Sequence, residues 1–167
     1  MADIKNSGEM REFETGAHRD SNTAIQKGRP DILPLDVVAK VLDNKAIDEI
    51  WEFVRSQDTQ HVINAIRIIG EAEPDWKNST ALAMWDTSFH YEDGGKKYDF
   101  GNWTYGMPIQ VFLDSGLRHY LKHLGGEKDE PHHRATLWNF MNLVWTWDHV
   151  PNAKEDFAEY VAKVWHN

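Results

Sequence analysis

Cysteine is absent from this 167-residue chain. Disulfides, thiolate metal sites and a cysteine nucleophile are thereby excluded. Basic residues are scarce beside acidic ones: 18 Lys and Arg stand against 27 Asp and Glu, a formal charge of −9. A general nucleic-acid-coating role needs surplus cations for the phosphate backbone, and this balance disfavours it. No apolar run approaches the ~18 residues of a membrane span. The N-terminus also lacks the basic segment and apolar stretch of an export signal, so a cytoplasmic location with no membrane partner is expected. No P-loop, dinucleotide fingerprint or nucleophilic triad is visible, which leaves metal- and water-based chemistry.

What is present is globular: 41% hydrophobic and 27% charged residues, with eight tryptophans. The length fits one domain with a substantial core. The acidic surplus either keeps a cytosolic protein in solution or holds divalent cations and, through them, an anionic small molecule. Residues 1–33 are polar and rich in Gly, Asp and Asn, and read as an extended N-terminal arm. Arg19, Lys27 and Arg29 lie there among Gly16 and Gly28. The arm is either a tail without fixed structure or a strap that covers an anionic ligand with guanidinium forks.

From Pro34 the pattern turns helical, and residues 34–167 read as a single all-α domain. Val38, Val41, Leu42, Ile47, Ile50, Trp51 and Val54 recur at three- and four-residue steps, and Asn44 is placed to divide that stretch in two. "QHVINAIRIIG" predicts a shorter helix closed by Gly70. Ser79 or Thr80 is a candidate N-cap for a helix that Gly94-Gly95 would end. No strand is expected. Two further helices, over about 108–124 and 131–147, frame a short Gly- and acid-rich turn and predict a central antiparallel hairpin. The first would bury Phe112, Leu113, Leu117, Tyr120, Leu121 and Leu124; "AKEDFAEYVAKVW" gives a last amphipathic helix.

The hairpin carries most of the chemistry. Asp114 and Arg118 are spaced to pair on one helix face, as are His119 and His123 to grip one ion. Glu127, Asp129 and Glu130 cluster at the tip, an oxygen set that suits Mg2+ or Mn2+. The same acids are also what a helix start attracts without any ligand. Asn139 sits among apolar residues and needs a polar partner.

The motifs "FETGAHRD", "KGRPDILP", "GKKYDFGNW", "GMP", "DSGLRH", "GEKDE" and "WN" follow one another between Phe13 and Asn139. In that order they resemble a phage-associated family, the N-terminal domain of dATP/dGTP diphosphohydrolases, relatives of the MazG-like all-α nucleotide pyrophosphohydrolases. The stretch 44–79 has no counterpart in these motifs and reads as an insertion of extra helix; the tail after about 150 is also unmatched. The resemblance implies a homo-oligomer that uses Mg2+ (or Mn2+) to cleave a purine deoxynucleoside triphosphate into monophosphate and pyrophosphate. Carried over by position, Asp114, Glu127 and Glu130 become metal-ligand candidates, and His119 and His133 ligands or general bases. Asn139 becomes an orienting residue. Arg19, Lys27, Arg29, Arg118 and Lys97 become phosphate-binding candidates, while Tyr98 and Trp103 could stack on a base. Two rivals stand beside this reading: a nucleotide-sequestering protein without catalysis, and an interaction module whose charges are solvated faces.

Overall fold

The computed structural model describes residues 10–20 and 26–166. Among them, seven α-helices and one small two-stranded hairpin make the architecture all-α. Asn44 does divide the first helical stretch. Asp43 takes a left-handed conformation at φ +46°, and the Asn44 side chain accepts the Ile47 N–H at 3.0 Å. That cap ends α1 (Leu35–Leu42) and starts α2 (Lys45–Ser56). The Asn44 amide also donates to the Tyr120 hydroxyl at 2.8 Å, tying this junction to the central hairpin.

Two expected stops are not stops. The third helix, α3 (Thr59–Ala72), runs through Gly70 and ends before Pro74. Gly70 is buried at a helix crossing, where an added Cβ would lie 3.2 Å from the Thr80 Cα. The fourth, α4 (Thr80–Tyr98), is capped by Ser79 as expected but passes through Gly94-Gly95. There the absent Cβ of Gly95 makes room for the Phe100 ring. The helix stops instead at Asp99, whose φ of +103° turns the chain away. In both cases close packing, not termination, explains the glycine.

The hairpin of α5 (Ile109–Leu124) and α6 (His132–His149) forms the centre, and α7 (Ala153–Trp165) closes the bundle. Gly116 lets Phe140 lie against the α5 backbone, and Phe112 meets Trp138 at 6.1 Å, so the two helices are antiparallel and closely packed. Phe53 of α2 stacks on Phe157 of α7 at 5.3 Å and meets the edge of Trp147 at 5.5 Å. Each phenylalanine taken from water in this way contributes ~1.5–3 kcal/mol. Leu124 is exposed and Leu121 only partly buried, against expectation: both lie in the last turn of α5, which runs into the exposed turn at 125–129. No described helix is long and apolar enough to cross a membrane.

The arm holds the strands that sequence patterning did not suggest. β1 (Met10–Glu12) pairs antiparallel with β2 (His18–Asp20), Arg11 opposite Arg19. Three residues per strand are too few for an alternating pattern to register. The turn is fixed by the Gly16 N–H donating to Phe13 C=O at 2.8 Å and the Phe13 N–H donating to Ala17 C=O at 2.9 Å. Phe13 and Ala17 are buried, so this part of the arm is docked on the helices.

Candidate functional site

Asn102 positions the arm. Its Oδ1 accepts the His18 N–H at 2.8 Å and its amide donates to the His18 C=O at 3.0 Å, copying a strand pairing with one side chain. Thr15 adds a bond from its hydroxyl to the Gly106 C=O at 2.6 Å. The next residue, Arg19, is thereby delivered into the middle of the hairpin. One guanidinium nitrogen donates to Ser115 Oγ at 2.6 Å and to Asn139 Oδ1 at 2.9 Å, linking α5 and α6. The Asn139 amide donates to the Ala135 C=O at 2.7 Å, so its oxygen must face the cation. The guanidinium carbon lies 5.7 Å from the Trp138 ring centroid.

A second strap crosses lower on α5. Arg29 holds Asp31 in a fork, with bonds of 2.8 and 2.7 Å, and the Tyr160 hydroxyl donates to the same carboxylate. Asp31 has no exposed surface. Although burial opposes ionisation, Arg29 and Tyr160 hold its carboxyl below the usual range. Asp114 faces this group: its Oδ1 lies 3.9 Å from Arg29 Nε, and its other oxygen pairs with Arg118 one turn along α5. Burial drives the Asp114 carboxyl up to about 7 against the opposing pull of Arg118, and the Asp31 carboxylate adds to the rise.

Nearer the tip, His132 is buried at the start of α6. Its Nε2 lies 2.7 Å from Asp129 and its Nδ1 lies 2.9 Å from His119 Nδ1. A carboxylate only accepts, so Asp129 assigns the proton to Nε2 and leaves the His132 Nδ1 lone pair facing His119. Glu130 completes a group with His119 and His132 whose donor atoms all lie within 4.8 Å of one another. His119 is held neutral, its pKa well below the usual value, first by burial and then by His132, Arg19, His90 and Arg118. Two imidazoles and a carboxylate can hold a divalent cation, and this donor set suits Mn2+ or a later transition metal better than Mg2+. Asp129 hydrogen-bonded to a candidate ligand is the arrangement that orients metal-bound histidines elsewhere.

The other face of α6 holds a separate group. His133 packs on Trp76 at 5.0 Å and lies 3.6 Å from Asp86. Arg134 grips Asp86 with bonds of 2.8 and 2.7 Å, and the Trp76 indole donates to it at 2.9 Å. Despite burial these partners keep the Asp86 carboxyl low. His123 pairs with Glu73 at 2.6 Å and its ring lies 5.6 Å from that of His133.

The residues singled out from sequence thus distribute unevenly. Arg19, Asn139, Arg118, Arg29 and Asp114 converge along α5 and α6, and His119 and Glu130 come together at its tip end. Glu127 is exposed in the turn, and His133 and His123 turn toward Glu73 and Asp86. Lys27 lies half-buried on the strap. Lys97 covers the Tyr98 ring at 4.9 Å, and Trp103 packs against Tyr91 at 5.6 Å and Trp145 at 5.1 Å.

Four contributors were not anticipated: His132, Asp31, Ser115 and His90. His132 lies seven residues before the inward-facing Asn139, the same helical face, and that phase was legible. His90, on α4, is partly buried near Trp138, with its Nδ1 shielded from solvent and unpartnered among the described residues. Burial, then Arg19, Arg134 and His133, push its pKa down to about 4.

Fold and site together define an all-α protein with three arginines gathered along its central hairpin and a compact His/Glu group beside them. The family model of the dATP/dGTP diphosphohydrolase N-terminal domain matches residues 64–156, more than half of the chain. The chain belongs to that family. The match includes α4, α5 and α6 and stops short of the arm that supplies Arg19 and Arg29. No curated protein and no solved structure matches the chain significantly.

Proposed function

We propose that this chain is a diphosphohydrolase that cleaves a purine deoxynucleoside triphosphate between its α- and β-phosphates with a divalent cation. The observation that supports it most is Arg19, carried from the arm onto Ser115 and Asn139 beside a neutral His119 and the His119/Glu130/His132 group. A polyphosphate needs fixed positive charge, and Arg19 and Arg118, both near enough to His119 to help keep it neutral, would supply it. Lys27 and Arg29 on the strap extend that charge outward. His119, Glu130 and His132 would hold the cation, for which the donor set favours Mn2+ over Mg2+. When bound, such a cation neutralises phosphate charge and lowers the pKa of water.

In the reaction, a water oxygen bonds to the α-phosphorus and the bond from that phosphorus to the bridging oxygen breaks. The electron pair leaves with pyrophosphate. His90, whose shielded Nδ1 has no partner among the described residues, is the proposed acceptor of the water proton. Asn139 and Ser115 keep Arg19 in place, so the guanidinium is preorganised before substrate arrives.

Incubation with dATP, dGTP, dCTP and dTTP in Mg2+ or Mn2+, with products separated chromatographically, tests the reading. Monophosphate and pyrophosphate from the purine substrates are expected. Glu130→Gln should lower turnover at least ~100-fold, the scale seen when one electrostatic contributor to a transition state is removed, with an unchanged circular dichroism spectrum. Recovery of intact nucleotide, together with a nucleotide-dependent rise in melting temperature, would replace hydrolysis with sequestration.

A further inference from the structure

We infer that the cavity between the end of α4 and the 99–103 loop is a nucleobase subsite, taking a planar heteroaromatic ring system of purine size. It rests on the nucleotide reading above and assigns the end of the ligand that the arginines do not hold. The cavity measures about 260 Å³ and is walled by Tyr91, Tyr98, Phe100, Trp103 and Trp138. That volume is below the ~300–1,000 Å³ typical of sites that enclose a whole drug-sized ligand. It admits one flat ring system and leaves sugar and phosphates outside.

The phosphate end lies in the right direction. Trp138 is shared between the two regions: it lines the cavity, and Arg19 sits 5.7 Å from its ring centroid. Its sequence neighbour, Asn139, accepts the Arg19 bond. Asn102 also lines the cavity while clamping the strand that carries Arg19. One loop therefore supplies two of the aromatic walls, Phe100 and Trp103, and the mount of the phosphate-facing cation.

An aromatic cage beside Glu92 and Asp99 would ordinarily also suit a quaternary ammonium. The local charge argues against it. Lys97 already lies over Tyr98 and Arg19 over Trp138, and Glu92 is neutralised by Lys96 at 2.7 Å. Asp99, exposed at the rim, retains a carboxylate suited to the exocyclic N–H or ring N–H of a purine. At Gly94 nothing lies within 4 Å of where a Cβ would stand, so a flat ring can approach the α4 backbone there, beside the Phe100 ring that already covers Gly95.

The test uses ligands without a scissile bond, so its outcome does not depend on catalysis. Deoxyadenosine, deoxyguanosine, deoxycytidine, sodium tripolyphosphate and tetramethylammonium are titrated into the full chain at millimolar concentrations, following the tryptophan indole N–H signals by NMR. The same titrations are run on Phe100→Ala and Tyr98→Ala. Phe100 is 71% exposed, so its truncation leaves the core intact, which the melting temperature verifies. The expected result is that the purine nucleosides bind and that each variant weakens them roughly 5- to 100-fold, the range for loss of one base–aromatic stack. Tripolyphosphate affinity should stay unchanged. The subsite is overturned if the nucleosides fail to bind, if both variants bind them as the parent does, or if tetramethylammonium displaces them. Nucleoside binding without any hydrolysis of the triphosphates would sink the proposed reaction and leave the subsite standing. Hydrolysis in which Phe100→Ala and Tyr98→Ala leave nucleoside affinity untouched would do the reverse.

Discussion

Replacing Asp114 by Asn isolates the buried carboxyl pair. The Asp114 carboxyl is raised from 3.8 to about 7, chiefly by burial. Between those values the folded protein holds a proton that the unfolded chain releases. Its stabilising contribution is therefore complete below about pH 4 and is lost as pH rises through 7. At ~1.36 kcal/mol per pKa unit, about three units correspond to at most ~4 kcal/mol. Asp31 acts in the opposite sense: its lowered pKa adds stability above pH 3.8 that is lost only on further acidification. The two windows do not overlap between pH 5 and 8.

Asn is neutral at every pH, so below pH 5 the substitution exchanges one uncharged group for another. Arg118 faces a neutral partner in both proteins there; as pH passes 7 it gains a carboxylate partner in the parent alone, an attraction already contained in the Asp114 value of about 7. From pH 5 to pH 8 the parent should lose stability relative to Asp114→Asn by a few kcal/mol. A change of 1 kcal/mol moves the melting temperature of a chain this size by ~2–4 °C. Differential scanning calorimetry of both proteins at pH 5, 6, 7 and 8 should then show the gap shifting by roughly 5–12 °C in favour of the variant. A gap that stays flat, or one that moves toward the parent, would refute the argument. It would mean that Arg118 and Arg29 keep Asp114 ionised in the folded state.

Gly116→Ala should cost roughly 1–3 kcal/mol, because its Cβ would overlap the buried Phe140 ring across the hairpin; a urea titration that finds the variant as stable as the parent removes close packing as the reason for that glycine. Asp129→Asn should weaken Mn2+ binding about 10- to 100-fold by releasing the His132 tautomer, read by calorimetric titration, and equal affinity would exclude Asp129 as the orienting group.

The elements were legible where an apolar stripe repeats, because the period of three and four survives any choice of neighbour. The α5–α6 hairpin and the Asn44 break are of that kind. Glycine was misread at 70 and at 94–95 because its signal is double. A glycine after a helix ends it through a left-handed residue, whereas one inside a helix admits a neighbour. Only the neighbour decides, and Thr80 and Phe100 are remote in pattern even where they are near in sequence.

The site divides along the same line. Charge and spacing on one helix were readable, so Asp114 with Arg118 was found, and the inward Asn139 was correctly judged to need a partner. Its partner, Arg19, is 120 positions away and arrives on strands too short to leave a pattern. Between the adjacent His132 and His133 the decision rests on phase. Counting back seven from Asn139 reaches His132, whose buried Nδ1 meets His119, while His133 is left to Asp86 and Trp76. A hairpin phase anchored on one residue known to face inward is therefore better evidence than the character of either histidine. The same count extended to the first helix places Ser115 one turn before His119, the pair that Arg19 and His132 respectively meet from the other side.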